Sequence, residues 1–163
     1  MAVVDSSVLI HLGRIGKLHL LNKFFGKIKV TREVYAEVKE GTRASEIEEA
    51  SKSWISIQAS SSVQAGQFAM QEGIGKADAS VIFLAIEKRD ILLSNDYALI
   101  AVARSKGVEC WWPTTFLIRC LEKKLLTKKE AKQILLELVE SGMRLNNAVY
   151  ATILNEMDKH VEK

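Results

Sequence analysis

Four carboxylates could do joint chemistry in this sequence: Asp5, Glu37, Asp78 and Asp96. Asp5 and Asp96 each stand where a short apolar run ends and a helical pattern begins. Asp78 sits in the first turn of an apolar helix, and Glu37 lies on the helix after the second strand. Carboxylates crowded into one place repel each other unless a cation lies between them. Oxygen donors without His or Cys suit Mg²⁺ or Mn²⁺. Such a cluster can clamp a phosphodiester and turn bound water into a nucleophile, with one or two ions. Each acid also has a plainer reading. Asp5 and Asp96 are good N-caps, Asp78 suits a helix dipole, and Glu37 forms a solvated face with Glu33 and Glu40.

Whether the acids meet depends on the elements that carry them. Ala2-Val3-Val4 is a buried strand by its β-branched run, and Ser7 to Leu12 follows as a short helix. Leu18 to Phe25 recurs at helical spacing, and Ile28 to Val30 is a second strand. Thr31 caps a helix that stops at Gly41. Arg43 to Ser51 reads as a polar helix, and Trp54 to Ile57 as a strand near the sheet edge. The serine-rich stretch Ala59 to Ala65 reads as a loop, with a turn or two of helix from Phe68 to Glu72. Lys76 to Arg89 is a helix apolar almost all round. Ile91 to Leu93 is a central parallel strand by its continuous apolar run. A helix follows from Tyr97 to Lys106, then the last strand, Val108 to Trp111.

This alternation predicts right-handed βαβ units and a parallel sheet covered on both faces. In such a sheet the strands' carboxyl ends share one edge, so Asp5 and Asp96 face one pocket if their strands are neighbours. From Pro113 the character changes to three helices: Thr114 to Lys123, Lys128 to Ser141 and Asn146 to about Asp158, with Thr127 and Asn146 as caps. The tail from Lys159 to Lys163 is expected to fray.

Composition sets the outer bounds. The chain has 163 residues, 48% hydrophobic and 26% charged, with net charge +3. That fits one domain with a sizeable core, and the basic excess is no nucleic-acid signature by itself. No apolar run is long enough to span a membrane, and no secretory leader is visible, so a cytoplasmic protein is expected. Cys110 and Cys120 are expected as buried free thiols. A phosphate backbone needs cations near the acids. Lys76, His11 and Arg14 are the candidates, and each also reads as an ordinary surface charge. Trp111-Trp112 could stack a base or close a core or an interface.

The segments VVDSSVLI, VTREVYAEV, GKADASVIFLA and ILLSNDYALIAVARSKGV occur in order around Asp5, Glu37, Asp78 and Asp96. With them the sequence resembles the PIN-domain ribonucleases, the family of the VapC toxins. The remainder, with GMRLN before the final helix, looks like the extension of a prokaryotic PIN-like group.

The resemblance implies a three-layer α/β/α fold with a central parallel sheet of about five strands. It divides the chain into a PIN-like α/β domain, 1–112, and a C-terminal helical extension, 113–163, packed on the same domain. It also implies a toxin-like Mg²⁺- or Mn²⁺-dependent endoribonuclease acting on single-stranded RNA. Asp5, Glu37, Asp78 and Asp96 fall on the family's acidic, metal-holding positions. Ser7 and Ser94 fall on its small polar positions, where a hydroxyl would orient a carboxylate or a bound water; capping or turn formation is the other use of each. Asp78 departs from this group's usual glutamate, and Glu33, one turn from Glu37, is the alternative there. A homodimer and a small antitoxin-type partner are further implications.

Two other functions compete. A non-catalytic RNA- or protein-binding module with the same fold would suit the modest charge. A phosphatase with Asp5 as nucleophile usually needs a second acid two residues on, where this chain has Ser7.

Overall fold

A computed structural model describes residues 1–41, 44–59 and 62–160. Three expectations fall outside that set: the helix start at Arg43, the loop serines 60–61 and the fraying of 161–163. The first half runs β1 (Ala2–Val4), α1 (Ser6–Arg14), α2 (His19–Phe25), β2 (Ile28–Thr31), α3 (Arg32–Lys39), α4 (Ala44–Ser51), β3 (Ile55–Gln58) and α5 (Ser62–Glu72). It continues with α6 (Lys76–Lys88), β4 (Ile91–Leu93), α7 (Tyr97–Ser105), β5 (Cys110–Trp111), α8 (Pro113–Glu122), α9 (Lys128–Glu140) and α10 (Asn147–Lys159).

The five strands form one sheet in the order β3-β2-β1-β4-β5, and every neighbouring pair is parallel. Helices flank the sheet in a three-layer α/β/α arrangement. β1 is central and wholly buried, as its unbroken apolar run requires. β3 lies at the edge, as expected from its alternating pattern. The register that matters most for the site is Val4 against Leu93. It brings the carboxyl ends of β1 and β4 level, and the amide of Asp5 continues the ladder by donating to Leu93 O at 2.9 Å.

α6 packs across β1, β2 and β4, and Ala79, Val81, Ile82 and Leu84 are fully buried along it. That burial accounts for a helix apolar on more than one side. Its carboxyl end turns at Arg89, in the left-handed region with φ 54°.

The serine-rich segment is not a loop through Ala65. Helix α5 begins at Ser62. Ala65 and Ala69 are buried, Phe68 packs against the core, and the helix lies on α6. A stripe of small residues one turn apart holds this helix, and the surrounding Ser and Gln hide its periodicity.

The C-terminal helices join the same core. Phe116, Leu117, Leu135, Leu138 and Met157 belong to one buried cluster with the sheet residues. Thr127 and Asn146 cap α9 and α10, accepting from the amides of Glu130 and Val149. An aromatic group ties α8 to the sheet: Phe24 and Phe25 of α2 meet Trp111 of β5 and Phe116 of α8. Both cysteines are buried and free, and burial pushes the Cys120 thiol up to about 12. Among the described residues, no helix is long and apolar enough to cross a membrane.

Candidate acidic site at the sheet's carboxyl edge

Asp5 follows β1 and is the N-cap of α1. Its Oδ1 accepts the Ser6 amide at 2.8 Å. Its Oδ2 accepts two hydroxyls, from Ser7 at 3.0 Å and Ser94 at 2.9 Å. The carboxyl group is only 5% exposed. Burial pushes its pKa up, and Asp96 adds to that. The bonds from Ser94, Ser7 and Ser6 pull in the opposite direction, and burial prevails.

The two serines extend this arrangement into the loop after β4. The Asn95 amide donates to Ser7 Oγ at 3.0 Å, and the Asp96 amide donates to Ser94 Oγ at 3.0 Å. Each hydroxyl therefore accepts from the β4–α7 turn and donates to Asp5. Two short polar relays fix one acid relative to the backbone that carries another.

Asp96 is itself a cap. Its Oδ1 accepts the Leu99 amide at 3.1 Å at the start of α7, and the other carboxylate oxygen is not needed for that bond. For Asp5 and Asp96, then, the capping role expected from sequence is present. It orients the carboxyl groups and leaves room for a second function.

Asp78 is half-buried in the first turn of α6. Its carboxyl lies above the usual range because of burial first, then the charges of Asp5, Asp96 and Glu37. The charges of the other three acids thus all reach Asp78. Of Glu33, Glu37 and Glu40, it is Glu37 whose charge reaches Asp78. Glu37 stands on the exposed side of α3.

A buried hydroxyl pair fixes the relation between α3 and α6. Thr31 Oγ1 accepts the Val34 amide at 3.2 Å and the Ser80 hydroxyl at 3.1 Å. Sequence reasoning placed Thr31 as a cap and passed over Ser80. The available signal was a lone serine between Ala79 and Val81 in an apolar helix.

Among the described residues, no basic side chain forms an ion pair with any of the four acids. Nor, among those residues, are three acid, His or Cys side chains gathered closely enough to hold an ion as they stand. The donor set is all oxygen, and its net charge is uncompensated. In charge and donor type it fits a hard divalent cation.

The three candidate cations part company. His11, on α1, lines a cavity of about 830 Å³ that also includes Ser7 and Asp96. Burial and the neighbouring Arg14 lower its pKa. Arg14 turns away to donate to Ser141 O at the end of α9, at 3.3 Å, a favourable place for a cation. Lys76 is exposed beside Asp78 and is not part of the cavity wall. The two tryptophans also separate. Trp111 enters the aromatic group at α2 and α8, whereas Trp112 lines the cavity.

Comparison with known proteins agrees with this fold. The crystal structure of PAE2754 from Pyrobaculum aerophilum superposes with a TM-score of 0.53 at 18% sequence identity, over 67% of this chain and 82% of that one. At that identity the likeness is one of fold. No curated protein matches the sequence. A family model described as a PIN domain matches residues 1–159. The match takes in the sheet, the acidic edge and the C-terminal helices, and the chain belongs to the PIN-domain family, whose members are generally nucleases.

Proposed function

We propose that the chain is a metal-dependent ribonuclease that hydrolyses phosphodiester bonds of single-stranded RNA. The observation that carries this reading is the position of Asp78, whose half-buried carboxyl is repelled by Asp5, Asp96 and Glu37 together. Four acids held against their mutual repulsion, without a basic partner among the described residues, suit a cationic ligand.

Asp5, Asp78 and Asp96 would hold Mg²⁺ or Mn²⁺ directly, with Glu37 for a second ion or a bound water. When bound, such an ion supplies charge stabilisation and lowers the pKa of water. The chain's own groups prepare for it. Ser7 and Ser94 fix the Asp5 carboxylate through Oδ2, and the Ser6 amide fixes it through Oδ1. The Leu99 amide fixes Asp96. The Ser80–Thr31 bond holds the helices of Asp78 and Glu37 at one spacing. Such support keeps the carboxylates oriented before substrate arrives.

The test is Mn²⁺ titration by calorimetry on wild type and on an Asp5→Asn/Asp96→Asn variant, with single-stranded RNA cleavage followed in the same samples. Saturable binding and cleavage in wild type, both lost in a still-folded variant, are expected. Wild type that binds no metal would overturn the reading in favour of a non-catalytic binding module.

A further inference from the structure

The cavity beside the acids has a second wall that hydrolysis itself does not use. Its volume of about 830 Å³ is in the range of pockets that take small organic ligands. Ser7 and Asp96 line it on the acid side. Tyr97, Trp112 and Arg144 also line it, the last in the turn between α9 and α10.

Tyr97 and Arg144 are exposed, and Trp112 is partly so. Tyr97 is 78% exposed, although it is a large ring at the mouth of a pocket. Its ring lies 6.4 Å from that of Trp112, tilted by 33°. Arg144 is exposed and makes no ion pair among the described residues. His11 adds a polar ring whose Nδ1 is buried without a hydrogen-bond partner among the described residues. Asn95 adds a carboxamide to the same wall.

The turn that presents Arg144 is built rather than loose. Gly142 has φ +105°, a conformation that side chains disfavour. Arg14 of α1 holds the preceding carbonyl, Ser141 O. The C-terminal helices therefore bring a cation to the cavity that Ser7 and Asp96 also line.

An aromatic pair, a planar cation and hydrogen-bonding side chains, adjoining carboxylates, suit a ligand with a flat π-face and an anionic group. A purely apolar ligand would use neither Arg144 nor the acids. A simple anion would leave the rings unused and be repelled by Asp96. A nucleotide uses both: stacking on aromatic side chains is the sequence-tolerant way to hold a single-stranded base, and arginine matches phosphate geometry.

We infer that this cavity is the subsite for the nucleotide adjoining the scissile bond, its base on Tyr97 and Trp112 and its outer phosphate on Arg144. The word "scissile" rests on the nuclease reading; the nucleotide subsite itself does not.

The experiment measures binding of the four ribonucleoside 5′-monophosphates and of a labelled single-stranded RNA, with EDTA present so that no cleavage occurs. Variants are Tyr97→Ala and Arg144→Ala, both at exposed positions, with Trp112→Phe as a conservative control. Each alanine variant is expected to weaken binding by about ten-fold, with Trp112→Phe close to wild type. No saturable nucleotide binding by wild type would leave the cavity to another occupant, such as a protein side chain, and overturn the inference. Binding unchanged in both alanine variants would overturn it as well.

Cleavage with Mn²⁺ separates the two claims. Cleavage with unaltered KM in both alanine variants would sink the subsite and leave the nuclease standing. Nucleotide binding that depends on Tyr97 and Arg144, in a protein that never cleaves, would do the reverse.

Discussion

Ser94 and Asp5 lie 89 residues apart in the chain, and Ser94 Oγ donates to Asp5 Oδ2 across 2.9 Å. Ser94 Oγ in turn accepts the amide of Asp96 at 3.0 Å. One hydroxyl thus sets the spacing between two acids that follow neighbouring strands. The register of β1 against β4 makes this possible, because it places Val4 beside Leu93.

Ser94→Ala removes one of the donors that oppose the burial of Asp5. The Asp5 carboxyl then shifts further up, and the acid limb of a pH–activity profile moves to higher pH. Loss of a buried hydrogen bond to a charged acceptor costs about 1.5–3 kcal/mol. Urea unfolding checks the stability, and the pH profile separates the electrostatic effect from general loosening.

Asp78→Asn tests the cost of a charge that is both half-buried and repelled by its neighbours. The folded pKa of Asp78 is raised above its ordinary value, so its contribution to stability is present at low pH and lost as pH rises through the folded pKa. At neutral pH the wild-type carboxylate is a net strain on the fold. The variant is expected to melt at higher temperature than wild type at pH 7 and at the same temperature near pH 3, below the ordinary carboxylate range. A lower Tm at pH 7 would contradict a carboxylate strained by burial and repulsion.

Divalent ions should stabilise the fold by relieving the same strain. Mn²⁺ at about a hundred times its Kd adds about 2.7 kcal/mol to unfolding. A rise in Tm on adding Mn²⁺, reversal by EDTA and no response in Asp5→Asn/Asp96→Asn are expected by thermal scanning.

Asp90 tests the opposite end of the sheet. Lys29 Nζ lies 2.5 Å from Asp90 Oδ2, and the two side chains are only 12% and 11% exposed. Asp90→Ala strands a buried ammonium and is expected to destabilise by about 3–5 kcal/mol. Its Mn²⁺ affinity should match wild type, since Asp90 precedes β4, whereas Asp5 and Asp96 stand past the carboxyl ends of β1 and β4. Chemical unfolding and calorimetry on one sample check both statements.

The convergence of Asp5 and Asp96 was legible because it depends on two apolar runs, Ala2-Val3-Val4 and Ile91-Leu92-Leu93, whose burial leaves few other pairings. Caps were also legible: Thr31, Asp96, Thr127 and Asn146 all accept from the amides of their helices. Helix α5 was less so, because small alanines carry its buried stripe among serines and glutamines. The Ser80–Thr31 bond spans 49 residues, and periodicity does not encode such a distance. The cavity wall is the extreme case. Arg144 comes to line the same cavity as Asp96 through the packing of α9 and α10 on α8, and no local pattern announces that.

The strand order β3-β2-β1-β4-β5 also sets a schedule for the growing chain. β1 can pair with β2 early in synthesis, but Asp5 finds Ser94 and Asp96 only after β4 has been made. At ribosomal rates that delay is on the order of ten seconds, and the turn carrying Arg144 comes later still. A nascent chain therefore carries its first acid without the Ser94 hydroxyl that holds it, and the acidic edge assembles only once β4 and the turn after it have been made.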